Sequence, residues 1–198
     1  MSSANRRVVN SLDFRKSRDY VMHVNRVVTQ KFNSCKQNLI QQFNSSRITQ
    51  EIEAGSNSTN ISLTLSGRGN LFSFIGFKAG EKPTEAIREA MNGITLTKIM
   101  ISKDGSSQSY VLYPSVTEIF KITPLPWAQG RSWAEGIEKG ISNFGQFLAK
   151  GSDKSRSGGG IQSENFVSSA EFSPKPYITP MIANFEKCIS SLNNITIQ

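Results

Sequence analysis

The chain reads as an α+β protein: a small antiparallel β-sheet built from two hairpins, packed by a long N-terminal helix, a glycine-aromatic helix and a C-terminal helix. Three observations carry this reading. Apolar residues recur every three or four positions near both ends of the chain, the period of one helix face. Between those ends, short runs alternate apolar and polar side chains, the period of half-buried strands. Turn residues rich in glycine, asparagine and serine separate the runs.

Residues 1–19 form a polar arm with Arg6, Arg7, Arg15, Lys16 and Arg18 set against Asp13 and Asp19. Two readings stand: a flexible extension, or an arm that orders on a neighbour or touches phosphate. Residues 20–198 are expected to form a single α+β domain. From Tyr20 to about Phe43, the positions Val24, Val28, Phe32, Cys35, Leu39 and Phe43 form one stripe of a long amphipathic helix. His23, the only histidine, lies near its start without a second imidazole or a telling carboxylate, and is read as a surface or packing residue.

Ile61, Leu63 and Leu65 alternate with Ser62 and Thr64, and Ser66–Asn70 has hairpin-turn composition. The spacing predicts Leu71–Phe77 as the partner strand. Pro83 suits the first turn of a short helix from Thr84 to Asn92, which Gly93 ends. A second hairpin is expected around residues 104–107. Its first arm contains Ile94, Leu96, Ile99 and Ile101, with a break in alternation near Lys98 that suggests a bulge. Its second arm runs from Tyr110 to about Thr123, interrupted at Pro114, and Pro124 and Pro126 end it.

Ser132 followed by Glu135 reads as a capping box. Trp133, Ile137, Ile141, Phe144 and Leu148 then predict a helix running to about Lys150. Gly136 and Gly140, each costing roughly 1 kcal/mol relative to alanine inside a helix, are expected to let another backbone approach closely, within the chain or from a second subunit. Residues 151–160 are a flexible loop by composition, and an extended piece follows from Ile161 to about Val167. Pro174 and Pro176 introduce a last helix with Ile178, Ile182, Phe185, Ile189 and Leu192 on one stripe and Cys188 beside it.

With 23 Lys and Arg against 15 Asp and Glu the formal charge is +8, so a polyanion or an acidic protein surface is a plausible partner class. The apolar share of 37% fits a medium domain with polar extensions. Residues 1–19 hold no apolar run, and no stretch is long enough for a membrane span, so neither a leader nor a membrane contact is expected. On that ground the glycosylation sequons at Asn44, Asn57, Asn60 and Asn194 are read as chance, and Cys35 and Cys188 as reduced, buried thiols.

No nucleophile with a base, paired carboxylates or metal-ligand spacing appears, so no catalytic residue, metal or cofactor is assigned and no enzyme is expected. Phe72 and Phe74 would suit base stacking if exposed, but apolar residues fill both faces of that run, which favours burial.

Certain stretches resemble the tail-completion or neck proteins that join head and tail in tailed bacteriophages. These are Ile48–Gly55 through Asn60–Ser62, Gly69–Phe77, Leu125–Trp127, Gly130–Trp133 with Gly136–Ile141, and Ser155–Gln162. The resemblance covers roughly residues 20–190. It implies a non-enzymatic virion component, made in the bacterial cytoplasm, that forms a ring, often sixfold. The implied partners are copies of itself, portal-side connectors and tail proteins, with genomic DNA passing through the channel. Trp127, Trp133, Gly136, Ile137, Gly140, Phe72 and Phe74 are the expected assembly or packing residues, and the arm's basic residues the expected DNA or protein contacts. The alternative is a basic accessory protein that binds nucleic acid.

Overall fold

The computed structural model describes residues 17–102, 106–126, 128–140, 146–150, 160–166 and 172–193. Within them the fold is α+β, with seven α-helices, one 3-10 turn and three separate two-stranded antiparallel pairs. The residues divide into two compact units, neither of them contiguous in sequence. Unit 1 draws on residues 1–38, 94–113 and 183–198, and unit 2 on residues 39–93 and 114–182.

Helix α1 (Arg18–Ser45) realises its stripe in full: Tyr20, Val24, Val28, Phe32, Cys35, Leu39 and Phe43 are all buried. In unit 1, Tyr20, Val24 and Val28 pack with Val27 against Leu96, Ile99 and Ile101 of strand β1 (Thr95–Ile101). Strand β2 (Ser107–Leu112) pairs with β1, and the register shifts between Leu96 and Lys98, where the bulge is expected. Lys36 donates to the carbonyl of Ile94 at 2.9 Å, tying α1 to the start of the hairpin.

Cys35 and Cys188 are joined by a disulfide, their Cα atoms 5.8 Å apart. This corrects the reading of two reduced thiols. Each cysteine lies on or beside a helix stripe that faces the interior, and a separation of 153 residues in sequence says nothing of distance in space. Cys188 belongs to the last helix, α7 (Ile178–Ser190). Nearby, the Tyr113 ring meets Phe185 edge-on at 5.6 Å, and its hydroxyl donates to Glu186 at 3.2 Å.

Unit 2 begins with α2 (Arg47–Glu53) and the 3-10 turn Gly55–Asn57. The expected first hairpin is absent. Residues 60–70 are irregular turns, and Leu71–Ile75 is a short helix, α3, buried throughout. Asn70 accepts a hydrogen bond from the Ser73 amide as the N-cap, and Gly76 at φ 87° ends the helix. An apolar run this short fits a strand or a buried helix equally well; here the caps decide.

Helix α4 (Glu85–Asn92) stops at Gly93 as expected and buries Ile87 and Met91. The long second arm of the second hairpin is also corrected, because β2 ends at Leu112. Ser115 and Glu118 then form a complete capping box that starts helix α5 (Val116–Lys121). Strands β3 (Pro124–Leu125) and β4 (Ala128–Ser132) make a small antiparallel pair.

Helix α6 (Trp133–Lys139) is far shorter than a run to Lys150. Ser132 caps it by accepting from the Glu135 amide at 3.0 Å. The reciprocal half of the expected box is replaced, since the Glu135 carboxylate accepts from Lys139 Nζ at 2.8 Å. Gly140, at φ 79° and ψ 145°, ends the helix in a conformation that L side chains avoid. Ile141 and Phe144 lie outside the described residues. Leu148 belongs to strand β5 (Gln146–Lys150), paired with β6 (Gly160–Phe166), where the extended piece is expected.

Candidate assembly surfaces

The residues singled out from sequence for assembly divide sharply by position. Trp133 is 1% exposed and meets Phe77 edge-on at 5.8 Å and Tyr177 at 6.2 Å. Ile137, Gly136, Phe72 and Phe74 are also buried. These residues form the core of unit 2, so base stacking on Phe72 and Phe74 is ruled out in this fold. Gly140 serves as a helix stop: a Cβ there would meet only the Pro174 Cγ, at an ordinary 3.5 Å. The expectation of close backbone approach at Gly140 is therefore corrected. Trp127, Arg6, Arg7, Arg15, Lys16 and the 151–159 stretch lie outside the described residues. Arg18, also expected in the arm, is the exposed first residue of α1.

What unit 2 does present outward is a braced turn. Glu51 is fully buried on α2, and its carboxylate accepts from the Asn60 amide at 2.8 Å, the Ser62 N–H at 2.8 Å and the Leu71 N–H at 2.7 Å. Asn60 in turn accepts from the Leu65 N–H at 2.9 Å and the Gly67 N–H at 3.2 Å through Oδ1. A buried carboxylate is costly unless its lone pairs are met, and here backbone and amide donors meet them. The consequence is a turn over residues 60–67 whose ends are fixed from below.

On that turn Leu63 stands at φ 59° and Ser66 at φ 53°, in the left-handed region. Leu63 is 55% exposed and Ile61 39% exposed. A left-handed conformation costs a non-glycine residue roughly 1–2 kcal/mol, and the bracing holds it there. The turn thus projects an apolar knob on rigid backbone. The sequence holds one trace of it: a glutamate within an apolar helical run and an asparagine before alternating serine and threonine. Asn60, read as a chance sequon, is 5% exposed and committed to this network.

Elsewhere on unit 2 a groove of about 470 Å³ runs over Pro83, Ala86, Ile122, Pro124 and Pro126, with Lys78, Glu81 and Lys82 among its lining residues. Unit 1 offers a different surface. Met100, Tyr110 and Leu112 are exposed on the hairpin at 43%, 43% and 66%.

Electrostatics are structural in character. Burial pushes the Tyr177 phenol well above its ordinary value, partly opposed by its hydrogen bond with Thr49, 2.9 Å away. Partial burial and then the Glu186 hydrogen bond raise Tyr113. Hydrogen bonds from the Ser115 backbone and hydroxyl lower Glu118, as a capping carboxylate requires. Among the described residues no group of three His, Cys, Asp or Glu side chains is arranged to hold a metal ion, and no helix is long and apolar enough to cross a membrane. Compared with known proteins, the chain matches no family model, no curated protein and no solved structure.

Proposed function

We propose that this chain is a structural, non-enzymatic assembly protein, and specifically a neck or tail-completion component that forms a ring at the head–tail junction of a tailed phage. The observation that carries the assembly role is the Leu63 knob. An exposed leucine held in a strained conformation by a buried carboxylate network is the kind of feature a contact uses. The specific place in a phage neck comes from the sequence resemblance. Ring formation needs head-to-tail contacts between unlike surfaces, and an apolar knob and a groove of mixed polar and apolar lining on one unit are unlike surfaces.

Electron microscopy and protein mass analysis of purified virions test this reading, with the chain expected in the particle at the neck. Its absence from particles would overturn the phage assignment. For the isolated protein, native mass measurement should give a closed oligomer that Leu63→Gly reduces to smaller species. Salt-dependent DNA binding by a monomer, lost on neutralising Arg6, Arg7 and Arg15, would instead establish the nucleic-acid-binding alternative.

A further inference from the structure

The two sulfurs of the Cys35–Cys188 bridge stand in different surroundings. Cys35 is 4% exposed and lies on the interior stripe of α1, with Val28 and Phe32 before it on the same stripe, both buried. Cys188 is half-buried near the end of α7, and Glu186, Lys187 and Ser190 around it are exposed. In sequence the two are alike, each with a lysine beside it, Lys36 and Lys187. The difference between them therefore comes from the fold.

Nor does that difference need the bridge. Within unit 1 the end of α7 is held by packing: Phe185 is buried and meets Tyr113 edge-on, and Leu192 is also buried. Three backbone hydrogen bonds run from the N–H groups of Ser191, Leu192 and Asn193 back to carbonyls of α7. The side chain of Asn193 accepts from the Ser109 N–H at 2.9 Å, which covers an outward amide of β2. These contacts keep one sulfur inside and one at the surface whether the bond is closed or open.

We propose that Cys188 is the exchange site of this pair, the sulfur at which external thiols and small disulfides such as glutathione react, and that Cys35 is the resolving thiol. Exchange at sulfur proceeds in line with the S–S bond and needs access to the attacked atom, and a buried thiol is inert. In closing, the Cys188 thiolate attacks glutathione disulfide, forming a mixed disulfide and releasing one glutathione. Cys35 then loses its proton, attacks the Cys188 sulfur and releases the second glutathione. The cysteine pair gives up two electrons and two protons, and glutathione disulfide becomes two thiols. Opening is the reverse: a glutathione thiolate attacks Cys188, and Cys35 leaves as the thiolate and takes up a proton. This inference does not depend on a place in a phage neck.

The first test treats the oxidised full chain with reduced glutathione, stops the reaction early in acid and maps the peptides by mass. Glutathione should sit on the Cys188 peptide in about tenfold or greater excess over the Cys35 peptide. Glutathione on Cys35, or on neither cysteine, would overturn the assignment. The second test uses Cys35→Ser and Cys188→Ser, each with glutathione disulfide. Cys188 in the first variant should react about tenfold or more faster than Cys35 in the second, and in denaturant the two rates should converge. Equal rates without denaturant would overturn the proposal. So would a ratio that persists in denaturant, since it would belong to local sequence and not to the fold. The mapping of the wild-type chain decides the matter even if a serine variant does not fold.

Discussion

Glu51 ties the 60–71 segment of unit 2 together, because three N–H donors converge on its carboxylate. Glu51→Ala would strand the amides of Ser62 and Leu71 in the interior. At roughly 1–3 kcal/mol for each buried donor left unmet, denaturant unfolding should show a loss of about 3 kcal/mol. Leu63→Gly should behave differently. It relieves about 1–2 kcal/mol of left-handed strain and adds roughly 0.5–1 kcal/mol of backbone entropy cost, so the melting temperature should hardly move while assembly suffers. Tyr177 sets a pH limit. Its folded phenol is raised above the ordinary tyrosine value, so the folded state keeps a proton that the unfolded chain gives up. Its contribution is complete below about pH 10, the unfolded value, and is lost as pH rises through the raised folded value. Tyr113, raised in the same direction, adds to the slope. Tyr177→Phe should flatten the fall in unfolding free energy seen between about pH 9.5 and 11.5.

At the scale of elements, what sequence reveals depends on whether local chemistry and long-range packing agree. Helix α1 was legible because seven buried positions keep one stripe across it. Helix α3 was not, since Leu71, Phe72, Phe74 and Ile75 satisfy either period and only Asn70 and Gly76 break the tie. The same lesson holds at Ser115 and Glu118. Their spacing is a capping box, yet Pro114 before them reads as an interrupted strand. Ser115→Ala should cost about 1 kcal/mol in chemical denaturation. The stop of α6 at Gly140 was masked by apolar spacing that continues past it. If backbone conformation is the reason for glycine there, Gly140→Ala and Gly140→Leu should destabilise by similar amounts, about 1–3 kcal/mol each. A penalty that grew with side-chain size would point to crowding instead. The Glu51 network was nearly invisible in sequence because its partners are mostly backbone amides, which every residue type carries.

For the whole molecule, the decisive unreadable fact is the disulfide. Two cysteines on separate stripes could be bridged or merely buried, and only the packing of α1 with α7 brings their Cα atoms within reach. Replacing both with serine should lower stability by about 2–4 kcal/mol relative to the oxidised chain, a loss measurable in paired denaturant titrations. The composition of unit 1 also bears on the order in which the chain becomes structured. It needs residues from the beginning, the middle and the end of the sequence, whereas unit 2 needs nothing beyond residue 182. A ribosome adds roughly 5–20 residues per second, so unit 2 can be finished while unit 1 still lacks its closing segment. During that interval the β2 edge has no Asn193 to cover it, and a nascent chain is most vulnerable to its neighbours on the same message. Asn193 thus covers the amide of a residue made some eighty positions earlier, Ser109, and that contact can form only after both units' other segments have been synthesised.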